Sequence, residues 1–187
     1  MRNVKLRDIS ELKTGPFGTQ LSASEYVSEG IPVINVKNIG YGSIIETGLD
    51  CVGANTLKRL SEHILKVGDI VSGRKGSVDR HCLIRKDQEG WMQGSDCIRV
   101  RILDDSVYPE FVSYYLLTNA VKMKINNSAV GSTMASLNTD ILGDIDIHLP
   151  DYIEQKRIAL ILGTIDKKIS KNNMINDYLA YQFSMVA

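Results

Sequence analysis

Residues 145–159 read IDIHLPDYIEQKRIA, and within this stretch the sequence pattern changes from strand-like to helical. Before Pro150, short apolar runs are separated by glycines, a pattern typical of β-strands joined by turns. After it, Asp151 and Glu154 stand three residues apart and form a capping-box-like helix start. One glycine and no proline follow as far as residue 187. The stretch therefore predicts a long helix that begins directly after a β-rich region.

The predicted helix carries a heptad seam, in which the spacing alternates between four and three residues. The seam consists of Ile158, Leu162, Ile165, Ile169, Asn172, Asn176, Leu179 and Phe183. Such a seam is typical of a coiled coil, and an amphipathic helix lying on its own domain remains the alternative. A helix of about 36 residues is roughly 54 Å long, and the preceding region is too small to cover all of it. We therefore expect a partner helix, with Asn172 and Asn176 setting its register by hydrogen bonds across the seam.

The first 150 residues predict a mostly β domain with few helices. Strand-like runs occur at residues 31–36 (IPVINV), 70–72 (IVS), 81–85 (HCLIR) and 97–103 (CIRVRIL). The last run alternates apolar and basic residues, which predicts a half-buried strand. Pro109, followed by apolar residues at helical spacing, predicts one helix in this region. The fold class is thus α+β, with a β-rich domain over residues 1–150 and a long helix over residues 151–187.

Composition excludes several classes of protein. The chain has 187 residues, 43% of them hydrophobic and 24% charged, as in folded globular proteins. No apolar run reaches the roughly 18 residues of a membrane span, and the N-terminal residues do not lead into a signal-peptide core. We therefore expect a cytoplasmic protein without membrane contact. The 22 basic and 22 acidic residues cancel, which argues against a protein whose whole surface attracts phosphate.

Motifs of common enzymes do not occur in the sequence. Gly-x-x-x-x-Gly-Lys-Ser/Thr and Gly-x-Ser-x-Gly are missing, and the three cysteines and three histidines have no metal-ligand spacing. We therefore expect no metal and no cofactor on this chain. One alternative is a metal-dependent nucleic-acid enzyme that uses Asp140, Asp144 and Asp146, since Asp144 and Asp146 would share one face of a strand.

A basic loop gives the positive signal. Residues 72–80 read SGRKGSVDR and join two predicted strands, and residues 72–86 contain five basic side chains against one acidic. Glycines let backbone N–H groups approach phosphate, and arginine forks pair with phosphate or with guanine edges. A second polar cluster, GSTMASLN at residues 131–138, suits hydrogen bonds to sugar and phosphate, and equally a helix cap before Asp140.

Seven segments follow one another along the chain in a recognisable order. They are VKLRDI (4–9), GPFG (15–18), GIPVINVKNI (30–39), LKVGDIVSGRKGSVDR (65–80), PEFVSYYLL (109–117), GST (131–133) and the stretch 145–159. This order resembles the specificity (S, HsdS) subunit of type I restriction-modification systems, over essentially the whole chain. The most specific part of the resemblance is Leu-Pro followed by Glu-Gln-x-Arg-Ile-Ala at the start of a long helix.

The resemblance implies a division of labour between subunits. A specificity subunit catalyses no reaction, and its target recognition domain, here residues 1–150, reads double-stranded DNA. Its long helix, here residues 151–187, pairs antiparallel with a second helix and docks methyltransferase (M) subunits. The M subunits bind S-adenosylmethionine and methylate adenine, and restriction (R) subunits translocate and cut. The DNA contacts expected on this chain are Lys37, Asn38, Arg74, Lys75, Ser77, Arg80, Gln93, Ser95, Ser132 and Thr133.

The chain departs from the family pattern in one respect. The family usually has two recognition domains and two helices in one chain, whereas this sequence has one of each and no internal repeat. The resemblance therefore implies a half subunit that forms a homodimer through the seam and reads an interrupted palindrome. DNA binding by the isolated chain is expected to be weak, because residues 1–150 carry 17 basic and 18 acidic residues. A coiled-coil adaptor that never touches DNA remains the other alternative.

Overall fold

The computed structural model describes residues 1–76, 78–128 and 136–186, without the side chains of residue 19 and of residues 183–186. Within this part of the chain the strands are β1 (Arg2–Lys5), β2 (Ser10–Thr14), β3 (Tyr26–Val27), β4 (Ile31–Ile34), β5 (Tyr41–Gly42), β6 (Asp50–Val52), β7 (Ile70–Gly73), β8 (His81–Leu83), β9 (Met92–Gln93), β10 (Cys97–Ile102) and β11 (Asp146–Leu149). The α-helices are α1 (Leu6–Ile9), α2 (Ala54–Arg59), α3 (Pro109–Leu116), α4 (Asn119–Ser128), α5 (Thr139–Gly143) and α6 (Tyr152–Val186). Short 3₁₀ turns lie at Gly18–Gln20, Ala23–Glu25, Val36–Asn38, Ser61–His63 and Lys86–Gln88.

The strands form three sheets within the described residues. The largest has the order β2-β10-β7-β8-β5, the second has the order β3-β6-β4-β9, and β1 pairs with β11. Neighbouring strands are antiparallel except β4 with β9 and β5 with β8. The predicted fold class is confirmed: a mostly β region with few helices precedes one long helix.

Strand β10 lies between β2 and β7 and is buried on both faces, so the half-buried strand predicted from its alternating pattern is wrong. Arg99 is only 2% exposed, and its guanidinium donates to Glu62 O (2.8 Å) and to Glu11 Oε2 (2.9 Å). Arg101 pairs with the buried carboxylate of Asp69 at 2.6 Å. The basic residues of this strand are therefore held inside the protein by carboxylates and carbonyls, which balance their charge and accept from their terminal N–H groups, whereas the Arg99 Nε has no hydrogen-bond partner among the described residues.

The main core joins the five-stranded sheet to the helices and extends to the first turns of α6, where Ala159 is fully buried. His81 of β8 lies inside the protein against α3, with its Nε2 3.0 Å from Ser113 Oγ. Burial lowers the pKa of His81 to about 4, because an imidazolium in this position would lose its hydration. The His81 ring is therefore neutral in the folded protein at neutral pH.

The side chain of Gln155 fixes the base of α6 to the body. It is 1% exposed, and its Oε1 accepts a hydrogen bond from the Tyr108 N–H at 2.8 Å. Its Nε2 donates to Ser106 O (3.1 Å) and to Pro150 O (3.0 Å). One buried amide thus pairs with three backbone groups from two different segments of the body.

Helix α6 continues along α3 and then leaves the body. Asp151 caps its first turn by accepting from the Glu154 N–H at 2.9 Å, as the sequence predicts. The Tyr114 hydroxyl donates to Asp166 Oδ2 at 2.7 Å, and burial raises the pKa of Tyr114 well above its usual value. Beyond Asp166 the described side chains of α6 are exposed.

Replacing Gln155 by Leu is expected to lower the free energy of unfolding by about 3 kcal/mol, because one buried N–H and two carbonyls lose their partner. Urea denaturation followed by circular dichroism measures the change. The matched control is Arg157→Leu, two positions along, where only an exposed pair with Glu154 is lost and about 0.5 kcal/mol or less is expected. Equal losses in the two variants would show that the Gln155 amide is not what holds the helix.

Candidate nucleic-acid interface

The loops next to β2, β7, β8 and β10 lie at one end of the large sheet. The first residue of β5 lies at the same end. The strand registers pair Ile98 with Thr14, Cys97 with Gly73, and both Ser72 and Tyr41 with His81. The end of β2, the end of β7 and the starts of β10, β8 and β5 therefore lie at the same end. We call this surface the loop edge and define it as residues 15–18, 74–76, 78–80 and 94–96 together with Tyr41.

Glycines hold two of these loops together. The Gly15 N–H donates to Cys97 O at 2.9 Å, and a Cβ added at Gly15 would lie 1.8 Å from Gly94 O. The Gly94 N–H in turn donates to Ile34 O at 2.9 Å. The backbones approach so closely that only glycine fits at residue 15. This packing fixes the start of the loop that carries Phe17.

Two arginines of the basic loop lie over aromatic rings at the loop edge. The Cζ of Arg74 is 4.6 Å from the centre of the Phe17 ring, and the Cζ of Arg80 is 5.2 Å from the centre of the Tyr41 ring. Lys122 of α4 approaches the Tyr41 ring as well, at 4.3 Å. Cations at these distances are attracted by the π-electrons of the ring. The basic loop thus lies between two aromatic side chains.

Arg74 and Arg80 differ from the other arginines in their partners. Seven of the nine arginines pair with a carboxylate in the described part of the chain: Arg2, Arg7, Arg59, Arg85, Arg99, Arg101 and Arg157. Arg74 and Arg80 have no carboxylate within salt-bridge distance among those residues, and the Nε of each is buried without a hydrogen-bond partner. Among the described residues, these two guanidinium groups are thus the ones that no carboxylate neutralises.

Three other predicted contact residues lie near this surface, and they differ in ion pairing and exposure. Lys75 lies 3.4 Å from Asp96 Oδ1, and Lys37 lies 2.9 Å from Asp50 Oδ2. The hydrogen bond from Lys37 lowers the pKa of the Asp50 carboxyl. Ser95 is half-buried in the turn before β10. These two lysines are exposed but partly neutralised, so each would have to exchange a carboxylate for an external anion.

Two predicted contact residues are buried, and their assignment to DNA contact is wrong for this fold. Asn38 is fully buried, and its Nδ2 donates to Ile45 O (3.0 Å) and Thr47 O (3.3 Å). Gln93 is also fully buried, and its Nε2 donates to Lys13 O at 2.8 Å. Both amides hold loops together. Three further predicted contacts, Ser77, Ser132 and Thr133, lie outside the described residues.

Two of the three carboxylates of the alternative metal site, those of Asp144 and Asp146, pair with basic residues. Asp144 follows α5 instead of lying on a strand beside Asp146, and it pairs with Arg7 at 2.8 Å. Asp146 pairs with Lys124 (2.7 Å) and Lys5 (2.6 Å). These two ammonium groups lower the pKa of the Asp146 carboxyl to about 2. Within the residues described, no group of three or more potential metal ligands exists, so the metal-dependent enzyme is not favoured.

The seam of α6 is divided between the body and solvent. Ile158 packs partly buried against the main core. Ile165, Ile169 and Leu179 are between 47% and 52% exposed, and Leu162 is 36% exposed. Asn172 and Asn176 are exposed, and the Phe183 side chain lies outside the described side chains.

Across the described ranges no helix is both long and apolar enough to cross a membrane.

A family model described as the Type I restriction modification DNA specificity domain matches residues 1–180 of the chain. Two similar curated proteins come from Methanocaldococcus jannaschii. The Type I restriction enzyme MjaVIII specificity subunit is 24% identical over 174 residues, and the MjaIX specificity subunit is 27% identical over 177 residues. These matches cover 89% and 94% of this chain but 39% and 40% of the relatives. The chain thus spans about two fifths of the length of the curated relatives it matches.

Solved structures share the fold. The crystal structure of a type I restriction-modification system S subunit from M. genitalium has a TM-score of 0.63 and 18% identity, covering 91% of this chain and 40% of that one. The HsdS subunit from Thermoanaerobacter tengcongensis has a TM-score of 0.63 and 19% identity, covering 91% of this chain and 38% of that one. At these identities the likeness shows a common fold.

Proposed function

The chain belongs to the family of type I restriction-modification DNA specificity domains, and we propose that its β-rich body recognises a specific sequence in double-stranded DNA on behalf of partner subunits. The observation that carries this proposal is the loop edge. There Arg74 and Arg80 present guanidinium groups that no carboxylate of the described residues neutralises. Arginine forks in such a position suit phosphate oxygens and guanine edges.

The reactions belong to other subunits in this proposal. Methyltransferase (M) subunits bind S-adenosylmethionine and methylate adenine, and restriction (R) subunits cut; this chain catalyses neither step and holds no cofactor. The ion pairs of Asp144 and Asp146 with basic residues support that assignment, because they leave no open carboxylate pair for a metal. Residues 1–150 form the target recognition domain, and residues 151–187 serve dimerisation and docking of the M subunits.

The exposed seam of α6 supports a homodimer. Ile165, Ile169 and Leu179 are about half exposed, and beyond Asp166 every described side chain of α6 is exposed. Burying such a row against the same row of a second copy removes apolar surface from water. Two-fold pairing of antiparallel helices would place two identical recognition domains on one duplex, so the complex would read an interrupted palindrome.

The nearly neutral charge of the body supports a complex in which this chain and the M subunits both contact DNA. Residues 1–150 carry 17 basic and 18 acidic residues. Phosphate contacts dominate the affinity of DNA-binding proteins, so a neutral body binds weakly alone. The M subunits then supply much of the phosphate contact, while the loop edge selects the sequence.

Methylome sequencing tests the proposed function. Cells that express this chain together with its M subunit are expected to gain adenine methylation at one motif, and cells that express the M subunit alone are the control. The motif is expected to be an interrupted palindrome, because two identical domains read its halves. The absence of any new motif would contradict the DNA-recognition proposal and favour a helix-mediated adaptor, whereas an asymmetric motif would contradict the homodimer alone.

Asn172→Leu combined with Asn176→Leu is expected to change the oligomeric state or the orientation of the paired helices, because the amides would no longer fix the register. Light scattering gives the oligomeric state, and small-angle scattering with cross-linking gives the orientation. Asn173→Leu, on the same exposed stretch but off the seam, is the matched control and is expected to have no effect. A wild-type monomer at micromolar concentration would contradict the homodimer, and an unchanged double variant would contradict the role of the asparagines.

A further inference from the structure

Two exposed aromatic side chains lie at the loop edge, and the only side-chain hydrogen bond shown for them among the described residues is from the Tyr41 hydroxyl to Asp79 Oδ2 at 3.4 Å. Phe17 is 44% exposed and Tyr41 is 51% exposed, and neither belongs to a core cluster. Exposed apolar rings gain little from burial. What they share is a guanidinium lying over each ring, from Arg74 and from Arg80.

We propose that Arg74 and Arg80 each read a guanine in the major groove, and that Phe17 and Tyr41 hold the two guanidinium groups in the geometry that this requires. The proposal rests on the proposed function, because it names which residues of the loop edge select the sequence and which base they select. Arg74 and Arg80 are then specificity-determining residues, and Phe17 and Tyr41 are positioning residues.

The rings restrict the conformations of the two arginine side chains before DNA is bound. A free arginine loses much side-chain rotational freedom when it is fixed in a contact. Here the Nε of each arginine is already buried and its Cζ already lies over a ring, so part of this loss occurs on folding. The loop that carries Phe17 is anchored at Gly15 by the close approach to Gly94. A planar fork on a rigid support is suited to an acceptor pair at fixed positions.

Guanine fits these forks better than phosphate does. Guanine presents two acceptors, O6 and N7, side by side in the major groove, and a bidentate arginine is its commonest specific partner. Phosphate is tetrahedral and is also bound well by flexible lysines. Lys75 and Lys37 near this surface are paired with Asp96 and Asp50, whereas Lys122 lies over the Tyr41 ring. Two of these three lysines are thus neutralised by carboxylates, which weakens this surface as a general phosphate-binding site.

The test uses the complex of the full chain with its M subunit and duplexes that carry the methylated motif. Each guanine of the motif is replaced in turn by 7-deazaguanine, which keeps base pairing and removes only N7. Binding by the wild-type complex is expected to weaken at least about fivefold at one guanine for each arginine, since a bidentate contact discriminates about 5- to 150-fold. Arg74→Ala is expected to be insensitive at one of these guanines, and Arg80→Ala at the other; alanine is chosen because lysine could still reach O6 and N7.

The positioning role has its own readout. Phe17→Leu keeps an apolar side chain and removes the ring, so it is expected to weaken binding severalfold and to reduce the 7-deazaguanine penalty at the guanine of Arg74 only. Phe17→Tyr keeps a ring, so it is expected to retain both the wild-type affinity and the wild-type 7-deazaguanine penalty. Tyr41→Leu and Tyr41→Phe are expected to behave in the same way for the guanine of Arg80. The slope of binding against salt concentration stays unchanged in all of them, because no phosphate contact is lost.

Controls lie near the end of β10 that is opposite the loop edge. Leu103→Ala removes an exposed apolar side chain directly after β10, and Arg2→Ala removes an arginine of β1 that is paired with Asp104. Both are expected to bind every duplex as the wild type does. Thermal unfolding of each variant shows that the body is intact.

Three outcomes would overturn the inference: no single guanine sensitive to the loss of N7, a reduced salt slope with undiminished sequence preference in Arg74→Ala, or Phe17→Leu indistinguishable from wild type. The first two indicate phosphate contact and the third removes the positioning role. Failure of the proposed function is distinguishable from all three, because the wild-type complex would then show no preference for the motif over a scrambled duplex.

Discussion

The amide of Gln155 determines where the long helix leaves the body. Its three hydrogen bonds join the segment before α3, Pro150 and the first turn of α6, and the Gln155 side chain itself is 1% exposed. A buried polar group is costly unless it is satisfied, so only one orientation of the helix base satisfies all three backbone groups together. The Tyr114 to Asp166 hydrogen bond adds a second point of attachment further along α6. The exposed row of apolar residues, and any partner it binds, takes its position from these contacts.

Local pairing of charges explains how a neutral chain offers a cationic surface. Most arginines neutralise carboxylates that brace the fold, as Arg99 and Arg101 do inside the large sheet. Two are left over, and both belong to one loop between β7 and β8. Aromatic rings stabilise a cation without cancelling its charge. Net charge is therefore a poor guide to the surface of this protein, since ion pairs account for most of its basic residues.

The sequence predicts the elements of this fold better than the role of single polar residues. The heptad spacing and the Asp151 cap predict α6, and glycine-separated apolar runs predict the main strands, because both signals are local. Asn38 and Gln93 have polar amide side chains beside predicted strands, as surface residues often do, and contacts with residues outside their own element bury them. The stacking of Arg74 on Phe17 joins residues 57 positions apart. No local pattern predicts such a pair. The one local indication is an aromatic residue in the glycine-flanked GPFG segment.

Because α6 is long, a small tilt at its base produces a large displacement at its far end. Its 35 residues extend about 52 Å, so a tilt of about 5° at the base displaces the far end by about 4.5 Å. Successive base pairs are only about 3.4 Å apart. In the proposed dimer the two helices would thus act as a ruler, and a few degrees of play would shift one recognition domain by more than a base pair. The gap between the two halves of a target would then be measured at the junction of α3 and α6, far from any base.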